Sequence, residues 1–325
     1  MESKNYNYSK GQARFKKLLA QKNKKTRDKW EKEQNELKTK LIEKDEHKWV
    51  LDYKEEKTQN ENKINENVKE NINSINIIKE EEKKERLRYI AGVDISFDKF
   101  DKNVGISGLV VCDVDQDFKI VYEDYKVIKI EEPYIPSFLA FREVKPYVEL
   151  IDDLRKNKPQ FLPQVILVDG NGILHTRGFG IASHLGVLVD IPTIGCAKTV
   201  FALKDEGITD NYVQDMYNKK MKKFGDSFPL IGYSDKKYGY ALRSTDEDDY
   251  PIIVSIGHKV SNETALEVVK MCCYYKEPEP IRLADLITRR LIKAYQKFKK
   301  YNTDKNWNLK KYFRGNYDYI HSKLE

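Results

Sequence analysis

The chain has 325 residues, 40% of them hydrophobic and 34% charged, with a net charge of +7. Such a length suits one large domain or two small ones, and the lack of any apolar run of about 18 residues excludes a transmembrane helix. The start, MESKNYNYSKGQARFKKLL, is too polar for a secretory signal. Four cysteines (Cys112, Cys196, Cys272 and Cys273) form no C-x-x-C pair, which argues against a disulfide scaffold or a four-cysteine zinc site and fits a reducing compartment.

In chain order, residues 1–24 read as a basic, disordered arm, and the segment around Trp30, Leu37, Leu41 and Ile42 as an amphipathic helix docking on the body within 25–52. Residues 53–87, built mostly from Lys, Glu, Asn and Ile, bury too little apolar surface to offset ordering entropy and read as a disordered insertion. A globular body over 88–296 follows. YIAGVDISF, GISGLVVCDV and FKIVYEDYKVI predict an antiparallel meander. Residues 138–155 predict a helix with a kink or start near Pro146. QVILVDG and IPTIGCA predict buried strands around a helix, GIASHLGVLVD. FPLIGYS and YGYALRS predict a hairpin, PIIVSIGH a strand, and NETALEVVKMCCYYK and IRLADLITRRLIKAYQKFKK the closing helices. The fold class is therefore α/β, a mixed β-sheet flanked by helices.

Residues 297–325 form a basic tail. Residues 1–30 and 286–325 each carry +8, which leaves −9 for the remainder. Such ends suit phosphate-neutralising arms or plain solubilising tails, and an acidic body needs cations before it meets nucleic acid.

Three carboxylates stand out. Asp94 lies inside an apolar strand, and Asp169 ends another ahead of Gly170 and Gly172. An ionised carboxylate in such a run is costly unless compensated, and Mg²⁺ is one compensator. The carboxyl end of a buried strand is where α/β sheets place ligands. A turn cap explains Asp169 equally well, and Glu143, beside Arg142 on a helix, reads alone as a solvated residue. His258 at a strand end fits a general base, a metal ligand or a satisfied core group. Lys198, after a buried strand, fits a phosphate contact or an ordinary surface lysine. In P-Y-I-P, Pro133 and Pro136 stiffen a loop around Tyr134 and Ile135. Such a loop suits a wedge with both side chains outward, or a rigid turn packed on the body.

The blocks AGVDISF, PYIPSFLAFRE, VILVDGNGILHTRGFGIASHLGVL, IPTIGCAKT, DSFPLIG, ALRS and SIGHKVS, with EPEPIRLAD after them, together resemble the endonuclease V family over residues 88–290, its animal form more than its bacterial one. The resemblance implies a ribonuclease H-like fold and a monomeric, cytoplasmic, nuclear or nucleolar endonuclease without a membrane partner. Its substrate would be inosine-containing RNA or DNA, cut at the second phosphodiester 3′ to inosine to leave 3′-OH and 5′-phosphate ends. It implies Mg²⁺, replaceable by Mn²⁺, on Asp94, Asp169 and Glu143. His258 would assist at a metal or water position and Lys198 would contact the phosphate. Pro133, Tyr134, Ile135 and Pro136 would form the wedge, and Leu139, Gly170 and His175 the pocket for the flipped base. Where the bacterial wedge is often followed by Gly, this chain has Ser137.

Overall fold

The computed structural model describes residues 22–51 and 85–301. The expected N-terminal arm up to residue 21, nearly all of the expected insertion (52–84) and the tail from 302 onward lie outside the described residues. Helix α1 covers 22–38 and ends there, so Leu41 and Ile42, expected on it, lie in the following loop. Trp49–Val50 (β1) pairs in parallel with Glu85–Arg86 (β2). The last residues assigned to the insertion are thus ordered, and Leu87 behind them is buried.

The body follows as β3 (Tyr89–Phe97), β4 (Val104–Asp113), β5 (Lys119–Lys129), α2 (Ala140–Asn157), β6 (Val165–Asp169), α3 (Ile181–Val189), β7 (Thr193–Ala197), α4 (Asp210–Lys220), β8 (Ser227–Ile231), β9 (Lys237–Leu242), β10 (Ile252–His258), α5 (Asn262–Met271) and α6 (Glu279–Tyr301). Helix α2 runs through Pro146 without interruption. Helix α5 stops at Met271, ahead of the Cys-Cys-Tyr-Tyr run expected to extend it. Eight strands form one sheet in the order β5-β4-β3-β6-β7-β10-β9-β8. The β3-β6-β7 pairs are parallel and the flanking pairs antiparallel.

Alternation along the central strands splits the core between two faces. Ala91, Val93, Ile166 and Val168 pack against Val144, Tyr147 and Leu150 of α2 and Leu185 of α3. Ile90, Val165 and Leu167 pack on the other face with Leu266 of α5 and Ala284, Ile287 and Leu291 of α6. Helix α6 lies close over the sheet because two strand positions lack side chains. A Cβ on Gly92 would stand 2.1 Å from the Pro280 carbonyl oxygen, and one on Gly108 2.7 Å from Thr288 Cγ2. That approach delivers one stripe of α6 onto Asp94. Helix α1 docks through Trp30, which packs with Ile135 and Phe138 and stacks on Phe141 at 5.0 Å.

Candidate active site

Val93 pairs with Val168 across the parallel β3–β6 ladder. The next residue on each strand is Asp94 and Asp169, which places the two aspartates side by side on strands about 4.8 Å apart. By alternation both face α6. From that helix, Thr288 Oγ1 donates to Asp94 Oδ2 at 2.7 Å, and Ser96 Oγ lies 2.9 Å from Thr288 Oγ1. Glu143 enters from the first turn of α2 and is buried, contrary to the solvated position its neighbour Arg142 suggested.

Burial pushes Asp94 up to about 6, against the Thr288 hydrogen bond and with help from the charges of Asp285 and Asp169. Burial and the charges of Asp94 and Asp169 push Glu143 up to about 7, with Arg142 opposing. Lys198 Nζ lies 3.0 Å from Asp169 Oδ2 and 3.1 Å from Glu277 Oε1. Burial works against its charge, but these two carboxylates outweigh it and raise the ammonium above its ordinary value. Asp94, Glu143, Asp169 and Asp285 thus share one negative field, with Lys198, Arg142 and Arg289 as nearby cations, Arg289 Nε donating to Asp285 Oδ1 at 2.6 Å. Among the described residues no three His, Cys, Asp or Glu side chains are close enough to hold an ion as they stand. The donor set still suits a hard divalent cation. It consists of carboxylate oxygens, and added positive charge would relieve the repulsion that raises Asp94 and Glu143.

The wedge loop borders this cluster. Tyr134 is 66% exposed, with the Arg142 guanidinium 5.7 Å from its ring centroid. Ile135 does not point outward as expected: it is 8% exposed and sits in the cluster of Trp30 and Phe138. Apolar burial there outweighs presentation to a ligand. Leu139, 42% exposed, stands at the N-cap of α2. The ring of His175 hydrogen-bonds the Ser137 backbone, and burial together with the Arg177 charge pushes it down to about 4, so it is neutral at physiological pH. Gly170 has φ of +145°, and a Cβ there would meet Ile181 Cγ2 at 2.6 Å. A Cβ on Gly172 would meet the Ile256 carbonyl oxygen at 1.8 Å. The protein, not an open pocket, occupies the space beside both glycines, so they serve loop packing against α3 and β10.

His258 is the one expected site residue that the fold keeps away from the cluster. Its partner on β7 is Thr193, whereas Asp169 pairs with Cys196 at the other end of that strand. Three residues of strand separate the two levels by about 10 Å. His258 is buried, its Nδ1 accepts from the Ile42 N–H at 3.2 Å, and Nε2 is 3.8 Å from Asp190 Oδ1. Burial and Lys259 lower its proton affinity, with Asp190 opposing. It is a satisfied structural histidine. Sequence reasoning also missed Asp285, Thr288 and Glu277. The signal available was the three-residue spacing of Asp285 and Thr288, which puts both on one side of a helix.

Aspartates side by side on neighbouring parallel strands, with a buried glutamate beside them, in a mixed sheet flanked by helices, define an α/β protein of the ribonuclease H-like class. The profile of the Endonuclease V family matches residues 71–286. Endonuclease V of Mus musculus is 44% identical over 207 residues, which is 64% of this chain and 60% of the mouse protein. That of Homo sapiens is 42% identical over 207 residues, 64% of this chain and 72% of the human protein. The chain belongs to the endonuclease V family. The catalytic domain of human Endonuclease V superimposes with a TM-score of 0.69 at 35% identity, over 84% of this chain and 98% of that one. Ciona intestinalis Endonuclease V, in complex with a 23mer DNA containing an inosine followed by a ribo-adenosine, superimposes with a TM-score of 0.68 at 30% identity, over 83% of this chain and 98% of that one.

Proposed function

We propose that this chain is a Mg²⁺-dependent endonuclease that cuts single-stranded RNA at the second phosphodiester 3′ to inosine, leaving 3′-OH and 5′-phosphate ends. The observation that carries the reading is the adjacency of Asp94 and Asp169 beside Glu143 and Asp285, with exposed Tyr134 under the guanidinium of Arg142, the neighbour of Glu143. Asp94 and Asp169, with Glu143 and Asp285 beside them, would hold the cation, for which Mn²⁺ can substitute. Once bound, it supplies water activation and charge neutralisation at the phosphate. Lys198 places a fixed positive charge at the rim of the same site. Tyr134 offers a ring on which a base can stack, a contact contributing about 1–3 kcal/mol. The target base leaves its stack most readily from an unpaired strand. In this reading exposed Leu139 would crowd C2 of the purine and disfavour the 2-amino group of guanine, with His175 as a further wall of the base pocket.

Deoxyinosine in DNA is the second substrate. It is favoured by the Ciona complex, whose ligand is DNA; the ribo-adenosine after its inosine puts a 2′-OH beside the second phosphodiester and supports the RNA reading. The test uses matched single-stranded RNA and DNA oligonucleotides, each with one inosine, at equal Mg²⁺ and salt. We expect faster cutting of RNA, and loss of cutting without loss of binding in Asp94→Ala and Asp169→Ala. Turnover like the wild type in either variant would defeat the reading.

A further inference from the structure

Ser137 is one of few non-glycine residues here with positive φ, at +66°. Left-handed backbone is unfavourable for a serine, which has a Cβ and no amide or carboxyl group to bond locally. The residue stands between the wedge and the N-cap of α2, six residues ahead of Glu143. Its carbonyl accepts from Arg177 Nη2, and its backbone also hydrogen-bonds the His175 ring. The guanidinium lies 3.9 Å over the ring of Phe138, the next residue.

Arg177 is itself held from three directions. Its Nε donates to Gln34 Oε1 on α1, and buried Gln34 in turn donates to the Phe179 carbonyl at 2.7 Å. Lys38 Nζ donates to the Arg177 carbonyl at 2.6 Å, and the Arg177 N–H donates to His175 Nδ1 at 3.3 Å. One guanidinium therefore links α1, the loop carrying His175 and the strained peptide at the wedge. A planar fork with donors on two edges and an apolar face suits that junction, and a lysine does not reproduce it.

We propose that Arg177 is a positioning residue of the enzyme: it grips the Ser137 carbonyl, keeps that serine in its left-handed conformation, and so aims Tyr134 and the first turn of α2. The proposal rests on the inosine-nuclease reading for its activity test and on the geometry alone for the mechanical role. A glycine at 137 adopts the same backbone without help, so loss of the clamp and removal of the strain compensate each other.

The experiment compares wild type, Ser137→Gly, Arg177→Ala, Arg177→Lys and Arg177→Ala/Ser137→Gly in single-turnover cleavage of a single-stranded RNA with one inosine, with melting temperatures in parallel. Arg177→Ala lowers kcat/KM roughly tenfold to a hundredfold, the scale of a lost charge-assisted hydrogen bond. Ser137→Gly alone changes it by less than about twofold, and adding it to Arg177→Ala restores about fivefold. Arg177→Lys recovers less than the glycine does. Should Arg177→Ala fail to fold, Arg177→Lys takes its place in the cycle under the same criterion. A double variant as slow as the single one, or an Arg177→Ala enzyme of wild-type kcat/KM, overturns the proposal. If wild type leaves inosine strands intact, the substrate reading falls. Hydrogen exchange at the Phe138 amide, which donates to the Ile135 carbonyl, then decides the mechanical role: faster exchange in Arg177→Ala supports it and unchanged exchange refutes it.

Discussion

Replacing Thr288 by valine removes a single proton donor from the floor of the site while keeping its shape. The hydroxyl has one hydrogen, and ionised Asp94, 2.7 Å away, can only accept. The Ser96 hydroxyl at 2.9 Å is free to donate to Thr288 in return. Asp94 and Thr288 are both buried, so water does not replace the lost bond. A hydrogen bond to a charged group contributes about 1.5–3 kcal/mol, and 1.36 kcal/mol corresponds to one pH unit. Asp94 already lies at about 6 through burial, and the valine raises it further, because the lost bond favoured the ionised form. Single-turnover rates measured from about pH 5.5 to 9 at fixed Mg²⁺ should show the acidic limb displaced upward by about one to two units. The rate near pH 6 then falls by about fivefold for a shift of one unit and about fiftyfold for two, while rates near pH 9 approach wild type. An unshifted limb, or an equal loss at every pH, would refute the role assigned to this hydrogen bond.

Asp94 and Glu143 should each contribute a loss of metal-free stability as pH rises from about 4 to about 7, against the opposite contribution of buried His175 and His184, both held at about 4. Asp94 and Glu143 lie at about 6 and about 7, above their ordinary 3.8 and 4.5, so these two groups hold more protons in the folded chain than in the unfolded one across that window. Urea melts in chelator should show that Glu143→Gln gains stability relative to wild type as pH rises through that window; equal slopes in the two proteins would contradict the burial account. Tyr134→Ala should weaken binding of inosine strands about tenfold with little effect on folding, whereas Ile135→Ala should destabilise by about 2–4 kcal/mol. Binding titrations and melts separate the two, and the reverse pattern would show that the wedge has been misread. His258→Gln should keep cleavage within about threefold of wild type while lowering the melting temperature. A loss of a hundredfold or more would return the histidine to the chemistry.

What was legible in the sequence followed from strong local patterns. The strand around Asp94 was legible to the residue, because nine residues of apolar and small side chains leave no helical period and a mid-strand aspartate contradicts its surroundings. The mixed sheet followed from three adjoining strands and then strand–helix alternation. The misses share a cause, which is that burial is set by partners distant in the chain. Glu143 beside Arg142 has the local pattern of a solvated pair, yet the fold buries it within reach of the charges of Asp94 and Asp169. Ile135 faces inward because Trp30, over a hundred positions earlier, covers it. His258 ends an apolar strand just as Asp169 does, but β10 runs antiparallel to β7 and so ends on the other side of the sheet. Helix α4 is an exception: it carries Val213, Met216 and Tyr217 at helical spacing with Tyr212 beside them, a short periodic signal that was legible and was missed. Asp285 becomes visible only once α6 crosses Gly92 and Gly108.

The central claim is that the carboxylates at 94 and 169 together bind one divalent cation. Electron paramagnetic resonance of Mn²⁺ titrated into the full chain at about pH 8 tests it without any substrate. The account predicts a stoichiometric bound signal in wild type, lost in Asp94→Asn and in Asp169→Asn alike, and kept in His258→Gln. Undiminished binding in either asparagine variant would contradict it.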